Sequence, residues 1–204
     1  MTVKQTIRKT LATVLFLFLA IPVLRAQAGP FGEWQKSCNA GDADACSSLG
    51  MWNKVGGPFS DPDPAASEAW YNRALTIYRN QCSNGKMSAC TSLGDLMGFL
   101  NKDYVQKFAL LSKACNGGDL RGCAFLGGMY RDGQGVSKDN AQAVVHFRRA
   151  CDGDNMAGCR YLADAYESGD GVAQDKPKAV ELYRRACKAK DSTSCDKLKE
   201  PEKK

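Results

Sequence analysis

The chain contains almost no histidine, and this absence excludes the commonest metal sites. Its 204 residues include one histidine, His146. The cysteines do not form the short C-x2-4-C pairs that zinc sites favour. We therefore expect no metal and no cofactor, and we interpret His146 as a surface or packing residue.

Long apolar runs are also scarce, and the one that stands out is too short to cross a membrane. Leu11 to Leu24 is an almost unbroken apolar run of 14 residues, against the ~20 that a membrane-spanning helix needs. Basic residues precede it, and the small-residue pattern Ala26-Gln27-Ala28 follows it. These features favour a secretory signal peptide over residues 1–28 instead of an uncleaved anchor, with the mature chain beginning at Gly29. The predicted location is secreted or periplasmic, without a stable membrane anchor.

The chain also lacks a large excess of charge of one sign. The formal net charge of +6 comes from 28 basic and 22 acidic residues. Four of the basic residues lie in residues 1–28, which leaves 24 in the predicted mature chain and a net charge of +2. Lysines of the charged C-terminal tail, residues 200–204, account for part of the rest. Nucleic-acid-binding proteins usually show a concentrated basic face, so we do not expect nucleic acid as a partner.

Cysteine, in contrast, is abundant and regularly spaced. All ten cysteines form pairs with the spacing C-x7-C, and the first cysteines of successive pairs lie 44, 33, 36 and 36 residues apart. The pairs are Cys38 with Cys46, Cys82 with Cys90, Cys115 with Cys123, Cys151 with Cys159, and Cys187 with Cys195. A period in this range indicates an array of stacked supersecondary units.

The cysteine pairs also predict how the helices are joined. An even number of cysteines behind a secretory leader indicates a disulfide framework. Residues eight apart in a continuous helix lie about 12 Å apart, whereas a disulfide needs Cα atoms about 4.4–6.8 Å apart. The helix must therefore break between them, and Gly117-Gly118-Asp119 and Gly153-Asp154-Asn155 offer a glycine C-cap followed by an N-cap. Each disulfide is predicted to join the end of one helix to the start of the next.

Each repeat then divides into two helices, A and B. Helix A begins near the second cysteine of a pair, with leucine at position +3 from it and a small residue at +4 in four repeats. Tyr130 and Tyr166 extend this apolar stripe and are predicted core residues. Helix A ends at loops with paired glycines, Gly133 with Gly135 and Gly169 with Gly171, which allow positive φ. Helix B begins after aspartates placed to cap it, and the arginines of its last turn are expected to face solvent and the negative helix end.

The repeat C-x7-C-x2-L-G/A-x2-Y-x2-G-x-G-V, ending in Y/F-R-R-A-C, resembles the SEL-like repeat (SLR), which is related to the tetratricopeptide repeat. Together with the leader, it is similar to the Hcp family of cysteine-rich secreted bacterial proteins. The resemblance implies an all-α, right-handed solenoid of antiparallel helix pairs with one disulfide per repeat. We expect the solenoid to cover residues 29–199. Its repeats begin near residues 38, 82, 115 and 151, and a capping half-repeat begins at 187.

A binding function on the concave face is the first hypothesis, because repeat folds commonly use that surface. The expected ligand is a protein, a peptide or a cell-wall fragment, and the chain is expected to be a monomer. Positions on helix A that vary between repeats are the candidates, at +2 (Ser48, Ser92, Phe125, Tyr161) and at +5 (Met51, Asp95, Gly128, Asp164). From these we select Phe125, Tyr161, Asp164 and Asp95 as the candidate binding residues.

A β-lactam hydrolase is the alternative, since members of the similar family are described as β-lactamases or penicillin-binding proteins. Serine β-lactamases carry S-x-x-K with S-D-N and K-T-G. S-x-x-K occurs at Ser83 with Lys86 and at Ser194 with Lys197, but neither companion motif is present. Ser83 and Lys86 are the candidate catalytic residues.

Two further questions stay open. A third alternative is an assembly factor of the mitochondrial intermembrane space, where disulfide-bearing SLR proteins also occur; the strong apolar run and the A-x-A pattern argue against it. The glycine- and proline-rich insertion Val55–Pro64 lengthens one repeat. It is as compatible with a functional loop as with a neutral surface insertion.

Overall fold

A computed structural model describes residues 30–57 and 60–199, and this part of the chain is helical. Its helices are α1 (Pro30–Asn39), α2 (Ala43–Val55), α3 (Pro64–Ser83), α4 (Met87–Asn101), α5 (Tyr104–Asn116), α6 (Leu120–Asp132), α7 (Asn140–Asp152), α8 (Met156–Ser168), α9 (Lys176–Lys188) and α10 (Ser192–Lys199). None of these helices combines the length and apolar character needed to cross a membrane. The predicted signal peptide and the tail 200–204 lie outside the described residues.

Five disulfides join successive helices, and each one closes a C-x7-C pair. The bonds run from Cys38 to Cys46, from Cys82 to Cys90, from Cys115 to Cys123, from Cys151 to Cys159, and from Cys187 to Cys195. The paired Cα atoms lie 4.4 to 4.8 Å apart. Each bond links the last turn of one helix to the first turn of the next. The prediction of an all-α fold with one disulfide per repeat is confirmed.

The two cysteines of a pair differ in their position within the turn. The second cysteine of each pair is the fourth residue of its A helix: Cys46, Cys90, Cys123, Cys159 and Cys195. The first four of these are fully buried. Cys195 is half-buried, because it lies on α10, the last helix that the structure describes. The disulfides are therefore part of the interior of the stacked repeats, and exposure increases only at the C-terminal end.

The glycine C-cap predicted at Gly153 is confirmed. Gly153 follows the last residue of α7, and its φ is −91°. The residue with positive φ is the next one, Asp154, with φ +64°. The corresponding positions of the other turns are Gly41, Gly85, Gly118 and Lys190, all with positive φ. The turn therefore requires its left-handed residue directly before the N-cap, and a non-glycine residue occupies that position in two of the five turns.

The predicted N-caps are confirmed. Asp119 Oδ1 accepts a hydrogen bond from the Arg121 amide at 3.3 Å, and Asn155 Oδ1 accepts one from the Gly158 amide at 2.9 Å. At the B helices, Asp103 and Asp139 each accept a hydrogen bond from the amide three residues on, at 3.0 Å. These bonds satisfy helix N–H groups that would otherwise have no partner.

The helices form two compact units, and the chain passes from the first to the second between Ile77 and Tyr78, within α3. In the N-terminal unit, Leu49 and Tyr71 are buried between α2 and α3. Gly50 makes this contact possible, because a Cβ there would lie 2.7 Å from the Tyr71 ring. Ser67 Oγ donates a hydrogen bond to the Gly50 carbonyl at 2.8 Å. The first helix pair of the repeat thus packs through a small residue at position +4, as predicted.

In the C-terminal unit, each helix contacts the next along the chain from α4 to α10, and the A helix α6 also contacts the A helices α4 and α8. Leucines of the A helices and large residues of the B helices fill the interior; among them are Leu93, Leu111, Leu126, Phe147, Leu162 and Tyr183. Tyr166 is buried as predicted, and Tyr130 is half-buried against the core. The A helices therefore lie side by side along one side of the stacked pairs.

The glycine loops after α6 and α8 have the predicted positive φ, at Gly133 and Gly135 and at Gly169 and Gly171. The second glycine of each loop has an additional role. A Cβ on Gly135 would overlap the carbonyl group of Tyr104, the first residue of α5. A Cβ on Gly171 would overlap that of Asn140, the first residue of α7. The backbone of each loop thus packs directly against the backbone at the start of the preceding B helix.

The arginines in the last turns of the B helices largely match the prediction, since Arg148, Arg149 and Arg184 are exposed and Arg185 is half-buried. Arg185 on α9 donates a hydrogen bond to the Cys151 carbonyl at 2.9 Å, at the end of the preceding B helix. Lys113 on α5 makes the equivalent bond to the Cys82 carbonyl at 3.3 Å. Arg148 donates a hydrogen bond to the Tyr166 hydroxyl at 3.0 Å. These basic residues connect one repeat to its neighbour.

Candidate functional site

Six of the predicted ligand positions lie on three neighbouring A helices of the C-terminal unit, and we call them the A-face. They are the residues at +2 and +5 of α4, α6 and α8: Ser92, Asp95, Phe125, Gly128, Tyr161 and Asp164. All six are half-buried. Residues three apart lie on the same side of a helix, and the three helices are in contact. The fold therefore places these residues on one surface. Ser48 and Met51 occupy the same positions on α2 of the N-terminal unit.

The two aromatic residues of the A-face are held between basic side chains. The guanidinium groups of Arg160 and Arg131 lie 4.3 and 5.2 Å from the centroid of the Tyr161 ring. Arg121 and Lys107 lie 5.4 and 5.9 Å from the Phe125 ring. These distances are those of cation–π interactions. Sequence reasoning identified both rings but missed the cations, which lie at other repeat positions or on other helices.

The two carboxylates of the A-face are also bound by the B helices. Lys107 Nζ lies 3.0 Å from Asp95 Oδ1. The hydroxyl of Tyr183, which is buried, lies 2.6 Å from an Asp164 oxygen and 3.0 Å from a Glu167 oxygen, so its single proton is shared between the two carboxylates. Burial, together with these two carboxylates, raises the pKa of Tyr183 well above its ordinary value, so the phenol remains a hydrogen-bond donor. The carboxylates are thus fixed in position.

Gly128 leaves a gap in the middle of this surface. Apart from Gly128 itself, its chain neighbours and the nearby backbone of its own helix, no atom lies within 4 Å of the place that a Cβ on Gly128 would occupy. The repeats on either side carry Asp95 and Asp164 at the same position. We call this gap the Gly128 notch. It is open space, between two helices that carry charged side chains, into which a group of a bound molecule can enter.

A small cavity opens beside Tyr161, between the end of α6, the start of α7 and α8. Its volume is about 60 Å³, and it is lined by Arg131, Asn140, Ala143, Val144, Phe147, Tyr161, Asp164, Ala165, Ser168 and Asp170. The cavity is much smaller than the ~300–1,000 Å³ of a typical small-molecule site. The side-chain oxygen of Asn140 is buried and has no hydrogen-bond partner among the described residues.

The candidate catalytic residues hydrogen-bond to groups of α3. Ser83 is the last residue of α3, and its hydroxyl donates a hydrogen bond to the Asn80 carbonyl at 2.8 Å. Lys86 donates a hydrogen bond to the Gln81 side chain at 3.3 Å. Both residues are exposed. Neither contact supplies the general base that an attacking serine needs.

His146 is a packing residue in this structure. It is half-buried, and its ring stacks on Tyr130 with 5.4 Å between centroids and 9° between planes. Burial, with a smaller effect of the Arg149 charge, lowers the pKa of His146 below 6.5. Across residues 30–57 and 60–199, no three His, Cys, Asp or Glu side chains come together in a way that could hold a metal ion.

Stacked helix pairs with a disulfide at each junction define a cysteine-rich helical-repeat protein. The Sel1 repeat family model matches residues 43–76, 88–119, 120–155 and 157–191. This match covers more than half of the chain, which therefore belongs to the Sel1 repeat family.

Known relatives have the same fold. Helicobacter pylori cysteine rich protein B is 31% identical, with a TM-score of 0.52 over 63% of this chain and 94% of its own. A protective antigen of uropathogenic Escherichia coli with an SLR fold is 28% identical, with a TM-score of 0.56 over 82% of this chain and 35% of its own. A Sel1 repeat protein from Oxalobacter formigenes shares the fold at 24% identity, with a TM-score of 0.61 over 82% of this chain and 65% of its own.

A curated relative, cytochrome c oxidase assembly factor 7 of Xenopus tropicalis, is 31% identical over 118 residues, or 54% of this chain. The chain spans 48% of that relative's length. Sel1 repeats generally mediate protein–protein interactions. The five disulfides indicate an oxidising environment, extracellular or periplasmic.

Proposed function

We propose that this protein is a secreted or periplasmic binding protein whose A-face takes an extended segment of a protein or peptide partner. The observation that carries the proposal is the Gly128 notch, which is open space on the same surface as the fixed aromatic and charged side chains. The disulfide framework and the predicted leader support the location. A relative named for an assembly role is in keeping with a protein that works by binding partners.

The spacing of the A-face favours an extended segment over a small molecule. Helices in contact lie about 8–10 Å apart, and an extended chain advances about 3.3 Å per residue. One repeat therefore corresponds to roughly three residues of a ligand. Phe125 and Tyr161 present an aromatic ring beside cations at the same position of adjacent repeats. A segment of six to nine residues, by the same approximate spacing, would contact all three A helices.

Filling the Gly128 notch tests the proposal. A random-peptide library is displayed against the oxidised chain, residues 29–204, and the affinity of each selected peptide is measured by calorimetry. Gly128→Trp places a large side chain in open space, so we expect binding to weaken at least about tenfold. Gly128→Ala adds only a methyl group and is expected to bind nearly as well as the wild type.

Val145→Trp is the matched control, because Val145 is 56% exposed on α7 and is not part of the A-face. This variant carries the same large side chain and is expected to bind like the wild type. Circular dichroism establishes that each variant is folded. Peptides that bind Gly128→Trp and Val145→Trp with equal affinity would contradict the proposal.

Incubation of the protein with a penicillin distinguishes the binding function from β-lactam hydrolysis. The positions of Ser83 and Lys86 supply no activated nucleophile, so we expect neither turnover nor an acyl adduct in the intact mass of the oxidised chain. An adduct that disappears in Ser83→Ala would replace the binding proposal with the β-lactam hydrolase. The chain is expected to be a monomer by light scattering throughout.

A further inference from the structure

The last disulfide of the chain differs from the other four in its exposure. The other eight cysteines are buried, with at most 4% of each residue exposed. Cys187 and Cys195 are both half-buried. A disulfide opens when a thiolate attacks one of its sulfur atoms, so the reaction requires access to the bond. The bond between Cys187 and Cys195 is therefore the one of the five that offers surface to a thiol in the folded chain.

Helix α10 depends on this bond to stay in place. It has eight residues, and isolated helices shorter than about 12–15 residues are marginal in water. It packs against α9, and Leu198 extends, half-buried, to the core. When the bond opens, α10 can therefore unfold locally while the other four disulfides stay closed.

The N-cap of α10 also holds a cation of the A-face. Asp191 Oδ1 accepts a hydrogen bond from the Ser194 amide at 2.8 Å. The same oxygen lies 3.6 Å from Arg160 Nε, and both side chains of this ion pair are about four-fifths buried. Arg160 is the cation that stacks on Tyr161 of the A-face. Unfolding of α10 would thus remove the acidic partner that fixes this guanidinium.

A second contact connects α10 to the carboxylates beside the A-face. Lys197 Nζ lies 3.3 Å from Glu167 Oε2. Glu167 and Asp164 share the proton of the Tyr183 hydroxyl. Helix α10 therefore contacts both the cation and the carboxylate side of this part of the surface.

The helix ends indicate which sulfur is attacked. Cys187 lies in the last turn of α9 and Cys195 in the first turn of α10. A helix N-terminus stabilises negative charge and a C-terminus disfavours it, so Cys195 is the better leaving group. The incoming thiolate forms a bond to Cys187 Sγ as the Cys187–Cys195 bond breaks. The electron pair leaves on Cys195 Sγ, which then takes up a proton from the solvent.

A second thiol completes the reaction. Its thiolate attacks the reductant sulfur of the mixed disulfide, and Cys187 leaves as a thiolate and is protonated in turn. Two thiols of the reductant are thereby oxidised to one disulfide, and the two electrons reduce the protein disulfide to two thiols.

We propose that the Cys187–Cys195 disulfide is a site of exchange with low-molecular-weight thiols, and that its opening releases α10 and the contacts that α10 makes beside the A-face. Neither the exchange nor the release requires a ligand, so the inference goes beyond the proposed function. The four buried disulfides keep the remaining helices joined. Arg160 and Glu167 are the side chains whose surroundings change.

Timed reduction of the native chain tests the exchange. The oxidised chain, residues 29–204, is incubated with reduced glutathione, trapped with N-ethylmaleimide and mapped by mass spectrometry. We expect Cys187 and Cys195 to react at least about tenfold faster than the buried cysteines, which react only after local opening. The first adduct should be one glutathione on Cys187. Equal rates at all five bonds, or an earlier reaction at another pair, would overturn the proposal.

Amide hydrogen exchange tests the release of α10. In Cys187→Ala/Cys195→Ala, which lacks the bond, we expect protection over residues 193–199 to fall at least about tenfold. Helices α4 to α9 should keep their protection. The NMR signal of the Arg160 Nε–H group should shift, because Asp191 no longer lies beside it.

Cys38→Ala/Cys46→Ala is the matched control, since it removes a buried disulfide far from α10 in the chain. It should leave the protection of α10 unchanged. Unchanged protection of α10 in Cys187→Ala/Cys195→Ala, or global unfolding of that variant, would show that the bond does not control α10 alone and would contradict the release. The timed reduction uses the wild type, so the exchange is tested even where a variant does not fold.

Discussion

Gly127, Gly128 and Gly135 lie within nine residues of one another, yet a Cβ would meet different surroundings at each. At Gly127 it would lie 2.6 Å from the Phe147 ring. At Gly128 it would meet nothing within 4 Å, and at Gly135 it would overlap the Tyr104 carbonyl at a φ of +70°. The three residues are chemically identical. Only their surroundings show that Gly127 allows core packing, that Gly128 leaves the surface open to a ligand, and that Gly135 lets a loop pack against α5.

We expect alanine at these positions to have opposite effects on stability. Gly135→Ala should lower the free energy of unfolding by about 2 kcal/mol or more, because left-handed backbone alone costs roughly 1–2 kcal/mol and the overlap adds to it. Gly128→Ala should raise it by up to about 1 kcal/mol, since alanine is the better helix former. Urea unfolding of the two variants measures the difference. Equal stabilities would show that the loop can move away from α5.

His146 gives a pH dependence that can be assigned to one residue, since the chain has no other histidine. Its pKa is lowered by burial in the folded state. Above about pH 6.5 the His146 ring is neutral in both the folded and the unfolded state, and the stabilisation by packing of the ring is complete. As the pH falls below that value the unfolded chain takes up a proton first, so the free energy of unfolding decreases.

NMR titration of the single imidazole should give a pKa below 6.5, and urea unfolding should show lower stability at pH 5 than at pH 7.5. His146→Phe keeps a ring against Tyr130 and should reduce this dependence. A measured pKa at or above 6.5 would mean that the ring is solvated and does not pack as described.

At the scale of the helix, the repeats are joined by polar contacts as well as by the core. Arg185 donates hydrogen bonds to the Cys151 carbonyl and to Asp154. The Asp154 carboxylate is 78% exposed, so that ion pair contributes little. The bond to the carbonyl matters more, because it is a charge-assisted second hydrogen bond to a carbonyl that already accepts one from the Asp154 amide at 2.9 Å.

Arg185→Met should therefore lower the free energy of unfolding by about 1 kcal/mol. Arg184→Met is the control, since Arg184 is the exposed neighbour on the same helix and should change stability by less than about 0.5 kcal/mol. Chemical denaturation of the two variants compares them directly. Similar losses for both would indicate a general charge effect at the end of α9.

For the molecule as a whole, the sequence predicted the features that depend on residues close together in the chain. It missed the contacts between residues far apart in the chain. The disulfide pairs and the caps follow from residues eight or fewer apart, so their spacing was sufficient. Asp164 and Tyr161 were identified by comparing equal positions in successive repeats. Their contacts with Tyr183 and Arg131 were not, because these contacts depend on how separate helices pack. The cavity at Asn140 was missed for the same reason.

Reduction of the disulfides should unfold the protein. The chain-entropy estimate for a ring of this size is about 2–3 kcal/mol, and for five rings it reaches the order of 10 kcal/mol. This is comparable to the whole stability of a typical domain, about 5–15 kcal/mol. Thermal unfolding followed by circular dichroism, with and without a reducing agent, measures the loss.

Peptide mapping under non-reducing conditions should find only the five C-x7-C links, and a link between cysteines of different pairs would contradict the assignment.

The position of each disulfide at a helix junction also has a consequence for biogenesis. Ten cysteines can pair in on the order of a thousand ways, but every native partner here is eight residues away. A pair can therefore oxidise as soon as its second cysteine reaches an oxidising compartment, before the next repeat has arrived. An oxidant alone should suffice for correct pairing as the chain emerges, and a disulfide isomerase should have little left to correct.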